Sequence, residues 1–112
     1  IISKHAQISD KKNLGKGVQI FPGVIVNENS IIGDYTILNT ASIIEHDCQI
    51  GDHCHLAPGS IVNGQTLIGN GTFVGSGAVV RENIKVGENC IISANCFVKK
   101  NLPKKSTFIN EK

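Results

Sequence analysis

The sequence is poor in aromatic residues, which make up 4% of its 112 positions, and it contains no tryptophan and no methionine. A chain of this length forms one domain, and a compact core normally draws on such large side chains, so this core must be built from other residues. No apolar run approaches the roughly 18 residues that a membrane span needs, and no secretory leader is visible. We therefore expect a cytoplasmic protein without a membrane partner. The net charge of +2 is too small to indicate a nucleic-acid partner.

Aliphatic residues recur at every sixth position from Ile2 to Val98, and all 17 positions in this series are Ile, Leu or Val. An α-helix repeats every 3.6 residues and cannot produce this period, whereas a strand followed by a turn every six residues can. Glycine or asparagine often stands three residues after the aliphatic position, where a tight turn needs a left-handed φ. A second period of 18 residues appears in a glycine series: Gly15, Gly33, Gly51, Gly69 and Gly87. It predicts coils of three hexads with a triangular cross-section.

This pattern resembles the hexapeptide repeat of left-handed parallel β-helices, and the handedness is taken from that resemblance. We predict an all-β fold, a left-handed parallel β-helix in the form of a triangular prism, over residues 1–103, followed by a C-terminal tail over residues 104–112. The position four residues after each aliphatic is mostly small or β-branched, with Lys12 and Leu102 as exceptions near the two ends.

The four cysteines, Cys48, Cys54, Cys90 and Cys96, all occupy that small position, which should point into the prism. Cys54 and Cys90 share one column but lie two coils apart, roughly 10 Å, which exceeds the ~7 Å limit for a disulfide. The spacing of the cysteines also matches no common zinc pattern. We expect four free, buried thiols and no bound metal.

Three of the four histidines fall within ten residues: His46, His53 and His55. His46 and Asp47 occupy the turn of their hexad, so both side chains should project from a corner of the prism. Gly64 lies 18 residues after His46, one coil further along the same corner. An imidazole beside a carboxylate is suited to general-base catalysis, and a backbone N–H beside it can stabilise an oxyanion. Each of these residues can also be an ordinary turn residue, and His55 can simply face a neighbouring subunit.

The segment from Asn39 to Gly64 resembles a family of bacterial sugar acetyltransferases, the sialic-acid O-acetyltransferases and UDP-4-amino-sugar N-acetyltransferases. The residues that carry the resemblance are Asn39-Thr40, Glu45-His46-Asp47-Cys48, Ile50-Gly51-Asp52, His55 and Pro58-Gly59.

The resemblance implies a role for each matching residue. His46 corresponds to the catalytic base that takes a proton from the acceptor, and Asp47 to the carboxylate that orients it. His55 corresponds to a second histidine near the acceptor, and Asn39 to a residue that positions the acceptor. Gly64 corresponds to the backbone amide that contacts the thioester oxygen.

The resemblance also implies acetyl-CoA as co-substrate, direct transfer without a covalent enzyme intermediate, and no metal. The pantetheine arm is expected to pass over small outward residues of later coils, which here are Ser76, Gly77, Ser93 and Ala94. The family is homotrimeric, with active sites at subunit boundaries, and outward apolar residues agree with such an interface. It usually carries an N-terminal α/β domain that this sequence does not contain, so we expect that an upstream domain is missing.

Two other functions stay open at this stage. A γ-carbonic-anhydrase-like zinc enzyme uses the same solenoid with three histidine ligands, and a non-catalytic solenoid needs no reactive histidine. Within the acetyltransferase interpretation, the residues do not distinguish N-acetylation from O-acetylation. They also do not identify the acceptor sugar or the adenine end of the CoA site.

Overall fold

The computed structural model describes residues 1–109, which form sixteen two-residue strands and one short 3-10 helix at Lys11–Asn13. The predicted fold is confirmed: the chain is an all-β, left-handed parallel β-helix. The strands are β1 Gln7–Ile8, β2 Gln19–Ile20, β3 Ile25–Val26, β4 Ile31–Ile32, β5 Ile37–Leu38, β6 Ile43–Ile44, β7 Gln49–Ile50, β8 His55–Leu56, β9 Ile61–Val62, β10 Leu67–Ile68, β11 Phe73–Val74, β12 Val79–Val80, β13 Lys85–Val86, β14 Ile91–Ile92, β15 Phe97–Val98 and β16 Thr107–Phe108.

These strands build three parallel sheets, which are the faces of a prism measuring 38 × 20 × 20 Å. Face A consists of β2, β5, β8, β11, β14 and β16; face B of β1, β3, β6, β9, β12 and β15; and face C of β4, β7, β10 and β13. Pairing follows the 18-residue coil, as in the register that sets Ile37 beside His55 and His55 beside Phe73. No helix in residues 1–109 is long and apolar enough to cross a membrane.

Each strand turns one side chain inward and one outward because successive Cβ atoms point to opposite faces. The inward aliphatics, such as Leu38, Ile44 and Val62, are fully buried and stack along the prism axis. Within residues 1–109, fifteen corner residues have a left-handed φ, and nine of them are glycine or asparagine. The hexad period therefore produces the core and the corners together.

The four cysteines are free and buried, as predicted. They share their columns with serine and threonine, and all three residue types link consecutive coils. Thr36 Oγ1 donates to Gly51 O and accepts from Cys54 N, while Cys54 Sγ donates to Gly69 O at 3.1 Å. Burial raises the pKa of the Cys48 and Cys54 thiols above the ordinary value.

The interpretation of Leu102 as an irregular residue in the small column was wrong. Leu102 is buried and pairs with Val86, so it occupies the inward aliphatic position only four residues after Val98. The hexad that begins at Val98 is therefore two residues short, and the regular register resumes from Leu102. As a result, Thr107–Phe108 pairs with Ile91–Ile92, and the sheet continues into the segment predicted as a tail. Residues 110–112 of that segment lie outside the described residues.

Candidate active site

His46 and Asp47 lie at the corner between faces B and C, and their side chains contact each other. His46 Nδ1 is 3.0 Å from Asp47 Oδ2, so with the ring proton on Nδ1 the imidazole donates to the carboxylate. Nε2 then carries the lone pair. This nitrogen faces Gly64 on the next coil, where an added Cβ would stand 2.7 Å from it. The structure thus brings together the predicted base, its carboxylate and the predicted glycine.

The backbone of this corner is held from both neighbouring coils. Asp47 N donates to Glu28 O at 2.9 Å on the preceding coil, and His46 O accepts from Gln65 N at 3.0 Å on the following one. Asp47 has a φ of 60°, which turns the chain and sets its carboxylate beside the ring of His46. The imidazole therefore projects from a rigid support, although 59% of its side chain is exposed.

Two further carboxylates line the cleft around His46, a feature that the sequence interpretation missed. Glu28 lies on the coil before His46 and Glu45 immediately precedes it; both line the cleft together with Asp47. Asn27 Nδ2 donates to Glu45 Oε1 at 3.1 Å, which holds the Glu45 side chain in place. Three carboxylates around one imidazole attract a cationic group such as a protonated amine. The 18-residue spacing between Asn27 and Glu45 was the available sequence signal.

Asn39 and His55, the residues predicted near the acceptor, also contact each other, but on face A and its border. Asn39 Nδ2 is 3.2 Å from His55 Nε2. Because the amide can only donate there, His55 Nε2 accepts and its ring proton lies on Nδ1. The rings of His55 and Phe73 pack at nearly right angles to each other, with centroids 5.4 Å apart. The ring of His55 is therefore fixed in both position and tautomer.

The chain does not bring these two groups together, because face B lies between them. Asn39 begins the corner between faces A and B, whereas His46 occupies the corner between faces B and C. The predicted cofactor residues Ser76, Gly77, Ser93 and Ala94 lie at the same corner as Asn39, two and three coils further along. The amides of Gly77 and Ser93 already donate to Pro58 O and Phe108 O. Within residues 1–109, no group of three or more histidine, cysteine or acidic side chains could hold a metal ion.

Residues 65–100 match the model of a protein family described as "Bacterial transferase hexapeptide (six repeats)". Solved structures are similar to nearly the whole described fold. Perosamine N-acetyltransferase from Caulobacter crescentus, in a variant with one histidine replaced by asparagine and bound to CoA and GDP-perosamine, is 36% identical with a TM-score of 0.93. That match covers 95% of this chain and 50% of the Caulobacter protein.

Two other solved structures are similar at lower identity. The acetyltransferase domain of PglB from Neisseria gonorrhoeae, in complex with acetyl coenzyme A, is 26% identical with a TM-score of 0.86, over 95% of this chain and 52% of that one. WeeI from Acinetobacter baumannii is 27% identical with a TM-score of 0.85, over 97% and 54%. The chain thus spans about half the length of these relatives. The matches confirm the predicted resemblance to hexapeptide-repeat sugar acetyltransferases.

Proposed function

We propose that this chain, a hexapeptide-repeat β-helix of the kind found in sugar acetyltransferases, transfers the acetyl group of acetyl-CoA to the amine of a nucleotide-linked amino sugar. One observation carries the proposal: the His46–Asp47 pair, with Nε2 of the imidazole directed at the backbone of Gly64. The choice of an amine over a hydroxyl rests on the carboxylates of Glu28 and Glu45 beside the base. It is supported by the Caulobacter relative, an N-acetyltransferase bound to GDP-perosamine.

His46 acts as the general base of a direct transfer. The neutral amine attacks the thioester carbonyl carbon, and its proton passes to His46 Nε2 as the carbon–nitrogen bond forms. Asp47 stabilises the imidazolium through the Nδ1–H bond, and the Gly64 amide stabilises the oxyanion. The carbon–sulfur bond then breaks, and the CoA thiolate takes the proton back from His46. The products are the N-acetyl sugar and CoA.

The complete site requires two copies of the chain. The outward residues of face B are apolar from Ile25 through Phe97, and those of face A include Ile37, Phe73 and Ile91. A contact between face A of one copy and face B of the next would remove the apolar residues of both faces from water. Such head-to-tail contacts close into a ring, here a homotrimer. Because His46 borders face B and His55 projects from face A, this contact sets His46 of one copy near His55 of a second copy.

The proposed trimer also explains why the candidate cofactor residues lie at two different corners of the prism. Ser76, Gly77, Ser93 and Ala94 lie along one border of face B and Gly64 along the other, so the clefts between copies run past both. We propose that acetyl-CoA lies in these clefts. The backbone N–H groups of Gly77 and Ser93 already donate to carbonyls of this chain, so they are not free to donate to the cofactor. The role proposed for these two small residues is to let acetyl-CoA lie close to the backbone. A cytoplasmic location, where acetyl-CoA is available, is supported by the four free thiols.

Calorimetric titration with acetyl-CoA, combined with an acetyl-transfer assay on nucleotide amino sugars, tests the proposal. His46→Ala should bind acetyl-CoA with unchanged affinity but lose about 10²- to 10⁴-fold in kcat, the contribution of a general base. His5→Ala, an exposed histidine of the first coil, is the matched control and should behave like wild type. Absence of acetyl-CoA binding by an intact trimer, or full turnover by His46→Ala, would overturn the proposed function.

Mixing two inactive variants tests the shared site. When His46→Ala and His55→Ala chains are refolded together at equal amounts, roughly a quarter of the sites in a cyclic trimer combine a native His46 with a native His55. Activity should therefore reappear in the mixture. If both histidines of each site came from one chain, no site in the mixture would be intact and activity would stay lost.

A further inference from the structure

The corner between faces C and A carries a pair of stacked rings on the protein surface. The rings of Tyr35 and His53 lie on consecutive coils with centroids 5.4 Å apart and planes inclined by 15°. Tyr35 is 49% exposed and His53 is also exposed, so the rings contribute nothing to the core. The Cδ1–Cε1 edge of Tyr35 lies over Gly17 of the preceding coil, where an added Cβ would be 2.4 Å away. Because the rings are stacked, each covers one face of the other, and the pair presents its outer faces and ring edges at the corner.

The fold does not require aromatic side chains at these two positions. Tyr35 and His53 have φ values of 57° and 56°, in the left-handed region that disfavours bulky residues. In the same column, Gly17, Gly71 and Asn89 tolerate this conformation readily, and Lys105 of the last coil adopts it with a φ of 62°. The corner thus forms with glycine, asparagine or lysine as well, so the turn itself does not explain the aromatic side chains of Tyr35 and His53.

The stacked pair adjoins the face A half of the proposed site. His53 precedes His55 by two residues, which limits their Cα separation to about 7 Å. His53 belongs to the same coil as His46, and Tyr35 belongs to the coil before it. The proposed cofactor residues, from Gly64 to Ala94, belong to later coils. If acetyl-CoA occupies the later coils, as proposed above, the acceptor has to approach from the side on which the stacked rings lie.

Two carboxylates flank the rings. Asp34 and Asp52 immediately precede Tyr35 and His53, and each uses Oδ1 to accept a backbone N–H from the preceding coil, Lys16 N at 2.9 Å and Asp34 N at 2.8 Å. These bonds hold both carboxylates at the corner beside the rings. An exposed aromatic stack with adjacent carboxylates matches the chemistry of an amino sugar, which has an apolar ring face and polar hydroxyl and amino groups at its edge.

We propose that the Tyr35–His53 pair is a binding surface for the sugar ring of the acceptor, a specificity element separate from the catalytic pair. The apolar face of the sugar packs against the exposed outer surface of the stacked rings, and Asp34 and Asp52 accept hydrogen bonds from its edge. This inference rests on the proposed acetyltransferase function.

The decisive variant is Tyr35→Gly, which removes the ring but supplies the residue that the same column uses at Gly17 and Gly71. It should fold as well as wild type. Asn89→Gly, in the same column two coils beyond the stacked pair, is the matched control. With GDP-perosamine, or whichever nucleotide amino sugar the wild-type chain acetylates, Tyr35→Gly should raise the KM for the acceptor about five- to tenfold. Its kcat and its affinity for acetyl-CoA should be unchanged.

Tyr35 is the only tyrosine, so fluorotyrosine incorporation gives a single fluorine resonance that reports on this ring alone. We expect the acceptor to shift that resonance and acetyl-CoA alone to leave it in place. An unchanged acceptor KM in Tyr35→Gly, or a resonance that responds only to acetyl-CoA, would overturn the inference while leaving the acetyltransferase function intact. A wild-type chain that acetylates no amino sugar would instead defeat the proposed function itself.

Discussion

Gly64→Ala is expected to disable the proposed base without unfolding the protein. An added Cβ at this position would stand 2.7 Å from His46 Nε2 and 2.8 Å from Cε1, and the three nearest atoms all belong to the His46 ring. Ordinary carbon contacts begin at about 3.5 Å, so the imidazole has to retreat by about 1 Å. Gly64 does not have a left-handed φ, and its backbone therefore accepts alanine without strain.

The expected effect is a loss of about 10²-fold in kcat/KM, because a displacement of about 1 Å at a reacting group has that consequence. This loss corresponds to about 2.7 kcal/mol of transition-state stabilisation. Stability should change little, since the group that moves is an exposed side chain, and the Tm should stay within about 3 °C of wild type. Gly75→Ala provides the contrast: its Cβ would meet Ala94 N at 2.6 Å, a backbone atom that cannot retreat, so that variant should lose stability.

Steady-state kinetics and thermal unfolding, measured on wild type, Gly64→Ala, His46→Ala and the double variant, complete the test. If alanine acts only by displacing the imidazole, the double variant should be no slower than His46→Ala alone. A Gly64→Ala enzyme within threefold of wild type would refute the reasoning, since the ring would then be dispensable or elsewhere during catalysis. A double variant much slower than His46→Ala would show that Gly64 has a separate role.

Three further predictions follow from named contacts. Within residues 1–109, Ser42 Oγ is buried without a protein hydrogen-bond partner, whereas Ser60 Oγ, one coil on in the same column, donates to a backbone carbonyl. Ser42→Ala should therefore leave the urea midpoint unchanged or raise it, and Ser60→Ala should lower stability by about 1 kcal/mol. Burial raises the pKa of Cys48 and Cys54 above the ordinary value of 9.0, so the folded protein keeps thiol protons that the unfolded chain loses. Stability should fall as the pH rises above about 9, and urea titrations at pH 7.5 and pH 10 check this sign. Asn39→Ala removes the donor that fixes the tautomer of the histidine on face A, and should lower kcat while acetyl-CoA binding, measured by calorimetry, stays unchanged.

The hexad period allowed much of the fold and one half of the candidate site to be predicted. A six-residue repeat determines which side chains point inward, so the aliphatic core and the buried cysteines followed directly. An 18-residue coil sets residues 18 apart on top of each other, and this alone predicted Gly64 beside His46. Neighbours along the chain, such as His46 and Asp47, needed no tertiary information either.

The prediction failed where the chain departs from the period. The hexad that begins at Val98 is two residues short, and a strict six-residue count therefore assigned Leu102 to the wrong column. Nothing local marks this change, because the register resumes only through the pairing of Leu102 with Val86.

The sequence by itself determined the coil, the core and the corner that holds His46, because a strict period translates position along the chain into position in space. Only the tertiary structure decided which side chains meet across columns. Asn39 and His55 are 16 residues apart, in different positions of their hexads, and their contact depends on the directions of the side chains. The same holds for the stacking of Tyr35 on His53. The tertiary structure also separates the His46–Asp47 pair from the Asn39–His55 pair by the width of face B. A period gives the order of the corners, but it does not show which faces another copy of the chain has to cover.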